Sequence, residues 1–409
     1  MSATLASGLD PARAVDPARY AMRGDAPRAA LRPATREELS EALRWASREA
    51  LGVVPWGGGT WLAQTPAPAR YDVALDLGAL DRIVEYEPED LTVTAECGVT
   101  IATLRATLAA RGQELPLEGA DAIRATLGGL LAANASGARR RQLGAPRDRI
   151  LGARFALGDG TLARTGGKVV KNVAGYAMHR LACGSRGGLA IFVEASFKLL
   201  PAPAARIALI YDATREQLLD NARWAAFPRL EPAALTVVCG ERASRLPGGS
   251  GEIKVVVGFE EDAARVAEQT ALTIGKLGEP ALRLESTSAT ELWQALADHE
   301  SSGEQHLTFA TAANTSTALA PLFEFSARAQ CVFHVPAGRL HVFTAAVEPR
   351  GLISALAPRG FALIDSSPDV ELHQEVFHFV AISDLRERLR SQLDPGRRFS
   401  LGERRVLGS

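Results

Sequence analysis

A diphosphate is held by backbone N–H groups converging on it, and side chains on the surrounding turn would block the approach. Trp56-Gly57-Gly58-Gly59-Thr60 offers three bare residues and a hydroxyl donor directly after the apolar run Leu51 to Pro55. Alone, this segment reads equally well as an ordinary tight turn after a strand. It is followed by a run of small residues, Ala125 to Gly137, which contains Thr126, Gly128, Gly129, Asn134, Ser136 and Gly137. That run either lets the backbone approach a ligand, with Thr126 and Ser136 as donors, or packs as a helix by its small face. A third segment, Lys168 to Pro201, carries Gly175, Gly184, Gly187 and Gly188. Charge-assisted hydrogen bonds are worth roughly 1.5–3 kcal/mol each, so a few can hold a nucleotide without a covalent link.

Two other phosphate signatures fail on residues. A dinucleotide fingerprint needs a third glycine where Leu62 stands and a helix next, yet Pro66 and Pro68 follow, although Asp76 lies at a plausible distance. A P-loop ending at Gly167-Lys168 needs glycine at Leu162 and Ser or Thr at Val169. Among the histidines, His334 and His341 share one segment. If Pro336 to Arg339 is a four-residue hairpin loop, the two imidazoles face each other across two strands with Cβ atoms about 5 Å apart. The pair reads as a metal site or as a structural pair, and a useful metal site wants three or four ligands. Glu371 and His373 are poor additions, and His299, His306 and His378 have no partner spacing. No metal is expected. Arg139, Arg140 and Arg141 read either as a balance for the diphosphate or as an exposed basic loop.

The elements that would position these residues follow from periodicity. Thr35 and Glu38 have capping-box spacing ahead of Leu39, Ala42, Leu43 and Ala46 on one helical face. Leu91 to Cys97 alternates as a half-buried strand. Thr100 caps a helix carrying Ile101, Leu104 and Leu108, which Gly112 ends, and Asp159-Gly160 marks a hairpin. After Pro201 and Pro203 a fresh alternation begins, with strands at Ile207 to Tyr211, Leu235 to Cys239, Ile253 to Phe259 and Cys331 to Phe343. Helices start near Thr214, Asp262 and Ser288, and Ser288/Glu291 again has capping-box spacing. A last helix with Leu385, Leu389 and Leu393 on one face stops at Asp394-Pro395-Gly396. The class is α+β. The expected organisation is a loose lead-in over 1–25, a first domain over 26–203, a second α+β domain over 204–380, and a helix and tail over 381–409.

With 409 residues, two domains are the default. Hydrophobic residues at 47% and charged ones at 23% exclude disordered and fibrous classes. A net charge of -1 gives nucleic acid or an anionic membrane no general attraction. No apolar run reaches the ~18 residues that span a bilayer, and no secretory leader is evident. Cys97, Cys183, Cys239 and Cys331 form neither a CxxC pair nor ferredoxin-type spacing. A reduced, cytoplasmic setting is expected.

The three glycine-rich segments in this order resemble the FAD-binding domain of the vanillyl-alcohol-oxidase/PCMH flavoprotein superfamily. Arg147-Asp148-Arg149-Ile150-Leu151-Gly152, Val170-Lys171-Asn172-Val173-Ala174-Gly175-Tyr176 and Gly184-Ser185-Arg186-Gly187-Gly188-Leu189 are similar to the FAD-binding E subunits of bacterial glycolate oxidases (dehydrogenases). The likeness covers the first domain and is weak from Pro201 to Phe379. It implies a PCMH-type FAD-binding domain of two α/β subdomains, a cap domain, and a C-terminal helix that returns to the FAD domain. It implies FAD contacts at Trp56, Gly57, Gly58, Gly59, Thr60, Thr126, Gly128, Gly129, Ser136 and Gly137, at Asn134, Glu118 and Asp148, and through backbone near Gly188 to Ile191. Thr60 stands where covalent relatives have histidine, so the resemblance implies dissociable FAD. Ala177 replaces the aspartate of the GYD motif, and Trp56 replaces a frequent arginine.

Related D-2-hydroxy-acid dehydrogenases carry a paired-histidine motif around Gly-Asp-Gly-Asn, a later Glu-His-Gly, and an arginine in the region after Leu292-Trp293. Here His334-Val-Pro-Ala-Gly-Arg-Leu-His341 keeps the spacing alone, and Gln294 to Glu300 contains no arginine. The resemblance therefore implies an FAD-binding subunit of a glycolate (2-hydroxy acid) dehydrogenase, working with a catalytic flavin subunit and an iron–sulfur subunit at the inner face of the cytoplasmic membrane. The alternatives are a self-sufficient FAD oxidase or dehydrogenase of another small hydroxy acid or alcohol, and a mainly structural flavin-binding subunit.

Overall fold

The structure is a computed structural model and describes residues 13–22, 24–62, 68, 70–118, 121–167, 176–220, 230–297, 305–311, 320, 330–344, 349–366 and 380–399. The chain forms two compact units, one of 1–135, 145–202 and 377–409, the other of 136–144 and 203–376.

In the first unit, β1 (Ala29–Leu31), β3 (Val73–Asp76) and β2 (Val53–Trp56) form a parallel sheet in that order. Pro55 is tolerated because β2 lies at the sheet's edge, where a missing N–H breaks no inner ladder. Helix α1 (Arg36–Arg48) begins at Thr35, whose hydroxyl accepts the Glu38 N–H at 3.1 Å. It buries Leu39, Ala42, Leu43 and Ala46, the face expected from the pattern. A second sheet runs β4 (Ile83–Glu87), β5 (Thr92–Glu96), β9 (Ile191–Lys198), β7 (Ile150–Ala156) and β8 (Leu162–Gly166). The β7–β8 hairpin turns at Asp159-Gly160, with Gly160 at φ +84°. Helices α2 (Ile101–Ala109) and α3 (Leu127–Ala133) contribute Leu104, Leu108, Leu127, Leu130 and Leu131 to the core beneath this sheet.

The described part of the expected loose lead-in is instead packed. A short 3-10 turn at Pro17–Tyr20 buries Tyr20, and Met22 is buried as well. At the other end, Phe399 is fully buried against β2, where Val53 N–H donates to Arg398 O at 2.7 Å. Asp394, just after the helix Val380–Leu393, accepts the N–H groups of Arg398 and Phe399 at 2.9 Å each and so ties down the tail.

The second unit is built on a sheet ordered β14 (Leu282–Glu285), β11 (Ala205–Asp212), β13 (Ile253–Glu261), β12 (Ala234–Cys239), β16 (Gln330–His334), β17 (Arg339–Thr344), β15 (Gln305–Thr311) and β18 (Phe361–Ser366). Its ladders are antiparallel throughout. The helix Ser286–Ala297 starts two residues ahead of Ser288, so Ser288 and Glu291 lie within it and cap nothing. Its Trp293 packs on Gly258 so closely that a Cβ there would lie 2.2 Å from the ring.

Segment 136–144, placed by sequence within the first domain, belongs by its contacts to the second unit. Ala138 is fully buried in that unit's core. Arg139 is buried too, and its Nη1 meets Glu260 Oε2 at 2.7 Å. Arg206 meets the same oxygen at 2.8 Å. Arg139 is therefore neither an exposed basic residue nor free to balance a diphosphate.

Candidate functional site: the glycine turn of the first unit

The three glycine-rich segments, far apart in sequence, are brought together in the first unit wherever a Cβ has no room. A Cβ on Gly57 would lie 2.1 Å from Thr126 Oγ1, and one on Gly58 would lie 1.7 Å from Arg124 O. A Cβ on Gly187 would lie 2.8 Å from Pro55 Cγ. Arg124 Nη2 donates to Gly58 O at 3.2 Å, and the N–H groups of Gly184 and Arg186 donate to Leu131 O and Ala132 O of α3 at 3.1 and 2.8 Å. The turn is thus seated on Arg124 to Thr126, while the 184–188 loop is seated on α3 and beside Pro55.

This changes the reason for two of the glycines. Gly57 and Gly58 are bare first of all so that the turn can approach the Thr126 side chain and the Arg124 carbonyl. Gly59 is left-handed at φ +74°, a conformation that disfavours any side chain. Gly128 is likewise a packing glycine, because its Cβ would lie 2.9 Å from Cys97 O. The helix reading of the small-residue run therefore holds for α3. Thr126 caps that helix by accepting the Gly129 N–H at 3.3 Å.

Donors remain for a ligand. Among the described residues, the N–H groups of Gly57, Gly58, Gly59 and Thr60 and the Thr60 hydroxyl have no hydrogen-bond acceptor. Ser185 is buried, and its hydroxyl has no partner either. Unpaired polar groups on half-buried backbone cost free energy unless water or a ligand satisfies them. This donor set fits a phosphate-bearing cofactor.

The remaining expected contacts are placed less simply. Asn134 is left-handed at φ 49°, and its Oδ1 accepts the Arg147 N–H at 3.3 Å. Asp148 Oδ2 accepts the Ala145 N–H at 2.9 Å, which closes the neighbouring turn. Glu118 is buried. The Gly188 N–H closes its own loop on Ser185 O at 2.9 Å, and Ile191 is a buried β9 residue paired with Ala156. Ser136 and Gly137 belong to the second unit, where Ser136 Oγ accepts from Arg140 Nη1 at 2.5 Å and Gly137 O accepts the Arg140 N–H at 3.2 Å. Residues 168–175, including most of the Val170 to Tyr176 motif, lie outside the described residues.

Residues 27–166 match the family described as FAD binding domain. Over this span the chain is similar to an FAD-binding domain. It is 37% identical over 203 residues to the glycolate oxidase subunit GlcE of Escherichia coli (strain K12), covering 48% of this chain and 57% of that one. It is 33% identical over 184 residues to the glycolate oxidase subunit GlcD of Bacillus subtilis (strain 168), covering 45% and 39% respectively. A solved structure of alkyldihydroxyacetonephosphate synthase superposes with a TM-score of 0.65 at 17% identity, covering 93% of this chain and 76% of that one. The chain thus spans about half the length of the curated relatives it matches. The α+β class and the PCMH-type FAD-binding domain expected from the motifs are both found. Among the described residues no helix is long and apolar enough to cross a membrane.

The histidines of the second unit differ from the expected arrangement. The hairpin loop is Val335 to Gly338, one residue earlier than expected, because Gly338 takes the left-handed position at φ +57° and only glycine fits there. Its Cβ would lie 2.1 Å from Thr311 O. His334 therefore opposes Arg339, and His341 opposes Val332. The two rings are diagonal neighbours 5.6 Å apart. The β15–β17 pairing adds His306, which has no sequence signal: its Nε2 lies 3.2 Å from His341 Nδ1, and Thr308 Oγ1 lies 3.3 and 3.2 Å from those two nitrogens. His306 also stacks on Phe343 at 4.5 Å. His334 Nδ1 pairs with Thr236 Oγ1 at 3.0 Å, and burial lowers its pKa to about 4. Among the described residues no group of three or more His, Cys, Asp or Glu side chains is placed to hold a metal. Glu371, His373, His299 and His378 lie outside the described residues.

Proposed function

We propose that this protein is the FAD-binding subunit of a glycolate or related 2-hydroxy-acid dehydrogenase, and that it works with a catalytic flavin subunit and an iron–sulfur subunit. The observation that carries the reading is the seating of the glycine turn on Arg124 to Thr126, with the donors of Gly57 to Thr60 lacking acceptors among the described residues. FAD, when bound, supplies a two-electron acceptor for oxidation of a hydroxy acid to an oxo acid. Gly57 to Thr60, with Thr126 and Ser185 nearby in the fold, bind and orient it, and Asn134 and Asp148 hold the adjoining turn. Thr60 offers no nucleophile to the flavin ring, so the cofactor dissociates on acid precipitation; yellow colour retained in the pellet contradicts this.

Partner dependence is favoured by the state of the second unit's imidazoles. His306, His334 and His341 are buried and bonded among themselves and to threonines, and His334 is neutral near pH 7. A general base needs access to the substrate hydroxyl. Anaerobic absorbance before and after addition of glycolate tests the reading. Bleaching is expected only once the partner subunits are present. Bleaching of the isolated chain makes it a self-sufficient enzyme, and a chain without any flavin spectrum overturns the cofactor assignment. A complex in which this flavin stays oxidised while glycolate reduces the partner's makes the subunit mainly structural.

A further inference from the structure

Trp56, which replaces a frequent arginine of the similar flavoproteins, belongs to a continuous hydrogen-bonded chain in the first unit. The indole Nε1 donates to Tyr71 Oη at 2.8 Å, and Tyr71 Oη donates to Tyr20 O at 2.6 Å. Tyr20 Oη donates to Asp76 Oδ2 at 2.6 Å, and Asp76 Oδ1 accepts the Gly78 N–H at 2.8 Å. The Tyr20 ring also meets the indole edge-on, with centroids 5.2 Å apart. The far edge of the same indole lies under the glycine turn, since a Cβ on Gly59 would lie 3.2 Å from Trp56 Cζ3. The turn is therefore bounded by Arg124 to Thr126 on one side and by the indole on another.

We propose that Tyr71 is a positioning residue for cofactor capture: by accepting the Trp56 N–H and donating to Tyr20 O, its hydroxyl fixes the indole that supports Gly59 and so presets the donors of Gly57 to Thr60. This rests on the reading of that turn as the FAD cradle. Among the described residues, the indole N–H donates to Tyr71. One hydroxyl serves both neighbours, so its loss removes the indole's hydrogen bond and the Tyr20 carbonyl's donor together. A turn that must be re-formed on binding binds more weakly than one held ready.

Binding of FAD to the full chain, followed by flavin fluorescence at a temperature where each variant retains its native circular dichroism, tests the inference. Tyr71→Phe, which removes one oxygen and keeps the ring, is expected to weaken FAD binding about tenfold, the effect of losing a hydrogen bond that presets the site. Trp56→Phe removes the donor at the other end of the bond and is expected to do the same. The double variant is expected to bind like Trp56→Phe alone, because Tyr71 acts through the indole. A purely structural role would shift the melting temperature and leave affinity below it unchanged. Wild-type affinity in Tyr71→Phe, or independent effects that multiply in the double variant, overturns the inference while leaving the cofactor reading intact. A wild-type chain that takes up no FAD overturns the cofactor reading itself, and the inference with it. If Tyr71→Phe does not fold, Trp56→Phe tests the same bond.

Discussion

The glycine turn and the histidine cluster are both polar, and they are opposites in how their polarity is used. In the turn, bare backbone packs closely on Arg124 to Thr126, and the donors of Gly57 to Thr60 have no acceptor among the described residues. In the cluster, His306, His341 and Thr308 pair with one another, His334 Nδ1 pairs with Thr236 Oγ1, and all five residues are buried. A site built to receive a ligand leaves donors facing no protein acceptor, whereas each histidine of the cluster spends a ring nitrogen on a neighbouring side chain. The first unit thus keeps the features of a binding site. The second keeps histidine spacing that resembles a catalytic motif and uses those residues to hold its sheet together.

Breaking polar pairs in the second unit should therefore alter stability, and altering the turn should alter cofactor binding. The largest effect is expected from Glu260→Ala, which removes the carboxylate shared by the buried Arg139 and the partly buried Arg206. Denaturant unfolding should show a loss of roughly 3–5 kcal/mol. Gly58→Ala directs a methyl group at Arg124 O and should cost about 3 kcal/mol, as overpacking against backbone does. The purified variant should carry no stoichiometric FAD by absorbance. Full FAD content would show that the turn's seating on 124–126 is not what prepares its donors.

The pH dependence of stability sharpens the other side of the comparison. Burial lowers His334 from 6.5 to about 4, so below pH 6.5 the unfolded chain takes up a proton that the folded chain refuses. Stability is full above that pH and falls as the pH drops towards 4, by on the order of 3 kcal/mol at the low end. Unfolding midpoints at pH 7 and 4.5 should differ less in His334→Gln than in the wild type. The smallest effect is expected from Thr308→Val, which removes one shared hydroxyl from the imidazole pair and should cost about 1 kcal/mol. The flavin spectrum of this variant should be unchanged; a changed spectrum would mean that the cluster touches the cofactor's environment.

Much of the fold is legible locally. Thr35, Thr100 and Asp262 cap helices where the spacing predicts them, and Asp159-Gly160 turns the β7–β8 hairpin. Ser288 fails because Ser286, at φ 48°, already starts that helix and so leaves Ser288 nothing to cap. The site is legible in outline only. Gly57, Gly58 and Gly128 stand out in the sequence, but their bareness serves packing between distant segments, and no spacing rule reveals which surface a missing Cβ faces. Tyr20, Tyr71 and His306 give no signal, because each gains its role through partners from other elements. Cys239 and Cys331, distant in sequence, are register partners on neighbouring strands.

The α+β class, the order of the three glycine-rich segments and the absence of a histidine at Thr60 can be read from the linear chain, because backbone freedom, side-chain chemistry and short-range periodicity are local properties. Only the tertiary structure decided that Arg139 is spent on Glu260, that Gly338 shifts the histidine hairpin by one residue, and that an indole held by Tyr71 lies under Gly59. Each of these depends on which residues long-range strand pairing and core packing bring within a few ångströms, and a linear pattern does not encode that proximity.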